Sequence, residues 1–67
     1  MENGNVKWFD PRKGFGFIEP DHGGNDVFVH MNAVKAAGLN LLKEGQVVFY
    51  ELVHAGDRNE ARDLAVV

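Results

Sequence analysis

Five ring side chains, Trp8, Phe15, Phe17, Phe28 and His30, carry the most distinctive chemistry in this sequence. Phe15 and Phe17 are two residues apart, as are Phe28 and His30. In an extended strand each pair therefore shares a face, because strand side chains alternate with a period of two. Gly16 and Ile18, and Val27 and Val29, take the opposite faces. With Val6 these aliphatic residues make a dry core face, and the rings point outward, joined by Trp8. Outward rings can stack nucleobases at about 1–3 kcal/mol per base with little sequence preference, since every base has a π-face. Duplex bases are already stacked, so the fitting partner is a single strand. Lys7, Arg12 and Lys13 lie beside the rings in sequence, within reach of phosphates. His30 can stack and, in its neutral form, donate or accept a hydrogen bond. Gly14 and Gly16 carry no side chain to obstruct a backbone approaching between the rings.

The competing reading puts the phenylalanines in the core, where most phenylalanines are found. Coverage argues against it. Five short strands with no long helix cannot cover both faces of a sheet, so one face is wet. The aliphatic face is the better core, having no polar edge. A contiguous exposed aromatic patch is uncommon on a monomer and usually functional. A protein–protein interaction module using the same rings is the alternative from another class; the neighbouring basic residues favour nucleic acid.

Glycine and proline punctuate the chain at short intervals, the pattern of short strands joined by turns in a sandwich or barrel. Five strands are expected, at Asn5 to Asp10, Gly14 to Glu19, Asp26 to His30, Gln46 to Val53 and Ala61 to Val66. Between the third and fourth, Asn32 to Ala37 has helix-tolerant composition and ends at Gly38, which predicts a single helical turn. At 67 residues the chain reads as one domain, residues 1–67, with no cysteine to add a disulfide or thiolate metal site. No apolar run approaches the roughly 20 residues of a membrane span, and the N-terminus lacks a secretory pattern, so a cytoplasmic protein is expected.

Ten acidic against seven basic residues give a net charge of −3. A basic patch is the usual footprint of a nucleic-acid binder, so here stacking, rather than phosphate neutralisation, must supply most of the affinity. Other chemistries fare worse. Gly14-Phe15-Gly16 lacks the third glycine and following helix of a dinucleotide fingerprint. His22, His30 and His54 have no metal-ligand spacing. The sequence contains no serine, threonine or cysteine, and a nucleophile, base and orienting group do not come together. No enzyme activity, cofactor or metal is expected.

At Lys13-Gly14-Phe15-Gly16-Phe17-Ile18 and Val27-Phe28-Val29-His30 the sequence closely resembles the cold-shock protein family, behind a matching first strand, Val6-Lys7-Trp8-Phe9. The resemblance implies an all-β, five-stranded antiparallel Greek-key barrel of the OB type with a short helical turn between strands three and four. It also implies that Lys7, Trp8, Lys13, Phe15, Phe17, Asp26, Phe28 and His30 contact single-stranded RNA or DNA, with a preference for pyrimidine-rich stretches. An RNA chaperone, or a cold-stress or transcription-antitermination factor, is the implied role. RNA recognition motifs begin their signature similarly, but Pro20 stands where their last aromatic belongs and no helix pattern exists.

Three further positions of the implied site depart from the family. Met31 and Leu39 stand where aromatics are usual, and Asp10 where asparagine is common. Weaker binding than that of a typical member is therefore expected. In strand four, Val48, Tyr50 and Leu52 take the core parity and Phe49 points outward, against a neighbouring strand or second subunit. Asp57-Arg58-Asn59-Glu60 replaces the usual Gly-Pro, and Arg62 shares parity with Leu64, which leaves the last strand's register open. A monomer is expected, or a dimer exchanging strands four and five through the long Met31 to Glu44 connection.

Overall fold

Short strands cannot leave their edges unpaired in so small a chain, and this one solves the problem by closing the sheet on itself. The computed structural model describes residues 1–66. Its elements are β1 (Glu2–Asp10), β2 (Phe15–Pro20), β3 (Val27–His30), α1 (Met31–Ala36), β4 (Val47–Ala55) and β5 (Arg58–Val66). Around the closed barrel the order is β1-β2-β3-β5-β4. Neighbours run antiparallel except β3 and β5, which meet in parallel at Phe28 and Glu60. The result is the OB-type barrel that the sequence implies. β1 is longer than expected because its first half pairs with β4, from Glu2 opposite Tyr50 to Asn5 opposite Val47. Its second half pairs with β2.

The interior holds the aliphatic set. Val6, Ile18, Val27 and Val29 are each 2% exposed or less, and Val34, Leu42, Val48, Tyr50, Ala61 and Leu64 complete the cluster. Val34 comes from α1, a turn of helix too short to stand alone that closes one end of the barrel. His30 caps it: the His30 Nδ1 accepts the Asn32 N–H at 3.0 Å. Gly38, at φ 80°, ends it by donating its N–H to the Lys35 carbonyl at 2.9 Å. The helix begins at Met31, one residue earlier than the composition suggests.

Two bulges explain where strict alternation fails. Val6 pairs with Ile18 but Trp8 with Phe17, so Lys7 is an extra residue in β1. That single insertion lets Val6 face the core and Trp8 face out, although the two share parity. The second bulge lies between β4 and β5. Phe49 pairs with Ala65 and Glu51 with Arg62, which leaves Asp63 and Leu64 opposite Tyr50. Asp63 takes up the extra length at φ 52°, in the left-handed region that aspartate tolerates better than most residues. Ala61 and Leu64 consequently both point inward and Arg62 outward, resolving the register that the sequence leaves open.

Two sequence expectations are corrected. Leu52 is not a core residue; it keeps the parity of Tyr50 and pairs with the buried Ala61, but it is 37% exposed, while Val48 and Tyr50 are buried as expected. Gly16 does not clear a path between the rings. It is buried and faces inward, opposite Phe9. A Cβ there would lie 2.7 Å from the Phe9 ring and would strike the Trp8 carbonyl, so glycine is needed for Phe9 to pack across β2.

Candidate nucleic-acid interface

The bulge at Lys7 sets up a cross-strand row of rings. Trp8 of β1 pairs with Phe17 of β2, and Phe17 with Phe28 of β3. A second pair, Phe15 with His30, lies alongside. Trp8 meets Phe15 and Phe17 edge-on, at centroid distances of 5.6 and 5.4 Å. Phe15 stacks on Phe28 at 5.6 Å and an interplanar angle of 24°, and Phe17 meets Phe28 edge-on at 5.9 Å. His30 continues the series, 6.4 Å from Phe28. Aromatic pairs at these separations contribute about 0.5–1.5 kcal/mol each beyond area burial. The rings therefore hold one another in place on the outside of the barrel.

Exposure across the patch is uneven. Trp8, Phe15 and Phe17 are half-buried and His30 is exposed. Phe28 faces outward as its parity predicts, but it is only 8% exposed. Phe15 and Phe17 cover part of it, and Arg58 covers more, with its guanidinium carbon 3.8 Å from the Phe28 centroid. Glu60 accepts from Arg58 at 3.5 Å. Neither Arg58 nor Glu60 belongs to the site that the sequence outlines. Their parallel contact with β3 joins strands far apart in the chain, and the bulge at Asp63 hides their parity. The sequence signal is weak: a lone arginine in a turn that departs from the family.

Charge at the rim is engaged in part. Lys7 Nζ lies 3.0 Å from Asp26 Oδ2, and that hydrogen bond, with the carboxylate's charge, raises the Lys7 pKa above its ordinary value. Asp10 Oδ1 accepts the backbone N–H of Arg12 at 2.9 Å and of Lys13 at 3.3 Å. The Asp10 carboxylate thus folds the β1–β2 turn and leaves the Arg12 and Lys13 side chains exposed. Because the His30 Nδ1 accepts from the helix, a neutral His30 ring presents Nε2–H outward. Among the described residues no group of three His, Asp or Glu is placed to hold a metal ion, and no helix is long and apolar enough to cross a membrane.

This arrangement of rings on β1, β2 and β3 coincides with a match to the 'Cold-shock' DNA-binding domain over residues 2–67. The chain belongs to the cold-shock domain family. It is 62% identical over 53 residues to a probable cold shock protein, y4cH, of Sinorhizobium fredii, a match covering 79% of this chain and 77% of that protein. To the cold shock protein CspA of Rhizobium meliloti it is 58% identical over the same shares. A cold shock-like protein of Thermotoga maritima is 50% identical over 96% of both chains. Family membership identifies a nucleic-acid-binding domain of a kind not generally enzymatic.

Met31 and Leu39 are both half-buried and pack against the barrel core. The structure brings together Trp8, Phe15, Phe17, Phe28 and His30, with the Lys7–Asp26 pair and the Asp10, Arg12 and Lys13 turn at the rim of β1. It does not add Met31 or Leu39 to the ring series.

Proposed function

We propose that this cold-shock domain binds single-stranded RNA and DNA by stacking bases on Trp8, Phe15, Phe17 and Phe28, with His30 as a further stacking and hydrogen-bonding position. The observation that supports this most is the continuous row of outward rings on three adjacent strands, on the outside of a closed aliphatic core. Lys7, Arg12 and Lys13 follow the phosphates, and Asp26 competes with them for Lys7. Pyrimidine-rich stretches suit such a platform, because small bases unstack from their own strand at least cost. Holding bases apart on a protein surface melts weak secondary structure, which is the activity of an RNA chaperone in the cytoplasm during cold stress or transcription antitermination. With Met31 and Leu39 in place of rings, fewer bases are held than in members with aromatics there. The protein acts by binding alone and performs no catalysis.

Competition tests the reading. A fluorescently labelled oligothymidylate bound to the protein should be displaced by unlabelled single strands, and far less by a duplex of equal length. Equal displacement by duplex would rule out a stacking platform.

A further inference from the structure

Between α1 and β5, next to the ring row, lies a cleft of about 430 Å³. It is lined by Phe28 and His30 of β3, Ala33 and Ala36 of α1, and Arg62 and Asp63 of β5. Its volume falls in the ordinary range of small-ligand sites. The helix contributes the smallest apolar side chains to this lining, so it leaves room for a flat ring. Arg62 reaches the cleft because the bulge at Asp63 turns it outward; under unbroken alternation it would share the interior with Leu64. Bulges often re-aim side chains beside functional sites.

The guanidinium is held in place. Glu60, whose side chain is only 14% exposed, accepts from Arg62 Nε at 3.1 Å and Nη2 at 3.0 Å. Its other oxygen accepts from Arg58. A guanidinium has five N–H donors. Those two bonds leave three, on a side chain that is 57% exposed, in the planar geometry that suits a phosphate.

Resting on the reading of the rings as a base-stacking platform, we propose that the cleft is a subsite for one further nucleotide of the same strand, beyond His30, with its base over Ala33 and Ala36 and its phosphate on Arg62. Two facts favour this occupant. The cleft shares Phe28 and His30 with the ring row, so a strand leaving the row at His30 meets it. The two arginines are offset by Glu60 and Asp63, so the cleft has no net charge to attract a free anion from solution. A nucleotide delivered by its stacked neighbours needs no such field, because its encounter is already intramolecular.

The test is a ladder of oligothymidylates of about three to nine nucleotides, titrated against wild type, Arg62→Ala, Ala36→Glu, Val47→Glu and Phe17→Ala. Positions 62, 36 and 47 are exposed, and circular dichroism confirms that each variant folds. Wild-type affinity should climb with length and gain a last increment when the strand reaches the cleft. Arg62→Ala and Ala36→Glu should remove that increment, a loss of about 3- to 10-fold for the longer strands, while short strands bind within about 2-fold of wild type. Val47→Glu, the same charge change on β4 away from the cleft, should keep the increment. The subsite is overturned if Arg62→Ala and Ala36→Glu follow the wild-type ladder, or if Val47→Glu reproduces their loss. Phe17→Ala separates the two ideas. A loss at every length, with unaltered ladders for the cleft variants, sinks the cleft alone; no loss at any length sinks the platform and the cleft with it.

Discussion

Arg58 lies face-on over Phe28, its guanidinium carbon 3.8 Å from the ring centroid. A base can stack on Phe28 only by taking that place. The exchange is favourable, since an exposed cation–π contact contributes about 0.5–1 kcal/mol and a stacked base about 1–3 kcal/mol. Arg58 thus both shields the ring and supplies a cation for a phosphate once displaced. Arg58→Ala should lower the slope of log K against log salt by about 1 × 0.7, and at high salt, where the phosphate contact is screened, bind at least as tightly as wild type. An equal loss of affinity at all salt concentrations would mean that Arg58 does not compete with the base.

Phe17→Ala and Phe28→Ala should behave differently. Each weakens oligonucleotide binding by about 1–3 kcal/mol. Phe17 is half-buried and meets Trp8, Phe15 and Phe28 edge-on, so its removal should cost about 1–2 kcal/mol of stability. Phe28, at 8% exposed and in contact with Phe15, Phe17 and Arg58, loses packing as well, and its variant should be destabilised by about 2–4 kcal/mol. Denaturant curves on the two variants check this; equal stability would contradict the covered position of Phe28.

Salt dependence should be shallow overall. Lys7 is paired with Asp26, which leaves Arg12, Lys13 and a displaced Arg58 as the cations nearest the rings. About three phosphate contacts on a single strand correspond to a slope near −2. A slope beyond about −4 would mean that charge, not stacking, dominates the affinity.

Alkaline pH should weaken the fold by two routes of the same sign. The folded-state pKa of Lys7 is raised above 10.5 by Asp26, so its contribution is complete below that value and is lost as pH rises through the folded pKa. Tyr50, 1% exposed, is raised above 10.0 mainly by burial and further by Glu2. Folding therefore opposes its ionisation, and stability falls as pH climbs above 10.0. Urea midpoints measured between neutral pH and about pH 11 should fall for wild type, and less steeply for Tyr50→Phe and Asp26→Asn. A flat wild-type profile would contradict both shifts.

Much of this architecture was legible in the residues. Alternation placed Ile18, Val27 and Val29 inside and Phe15, Phe17 and Phe28 outside, because β2 and β3 are short and free of bulges. Where a bulge intervenes, alternation misleads. Arg62 shares the parity of Leu64 but faces solvent. That outcome depends on Asp63 adopting φ 52°, a backbone state that aspartate permits without announcing it. Leu52 keeps the parity of Tyr50 and lies opposite the inward Ala61, yet it is 37% exposed, because parity alone does not say which inward positions the rest of the chain covers. Arg58 and Glu60 stayed hidden for a related reason, since only the parallel contact between β3 and β5 brings them to the rings. Met31 and Leu39 are placed at the site by family position; both are half-buried, with part of each side chain against the core.

Trp8 provides the most direct test, since it is the chain's single tryptophan and stands at one end of the ring row. Titrating the protein with oligothymidylate while exciting the indole should quench Trp8 emission saturably, and Phe17→Ala should shift the curve to higher concentration. Emission that stays constant while an independent probe registers binding would place the nucleic acid elsewhere and contradict base stacking on this face.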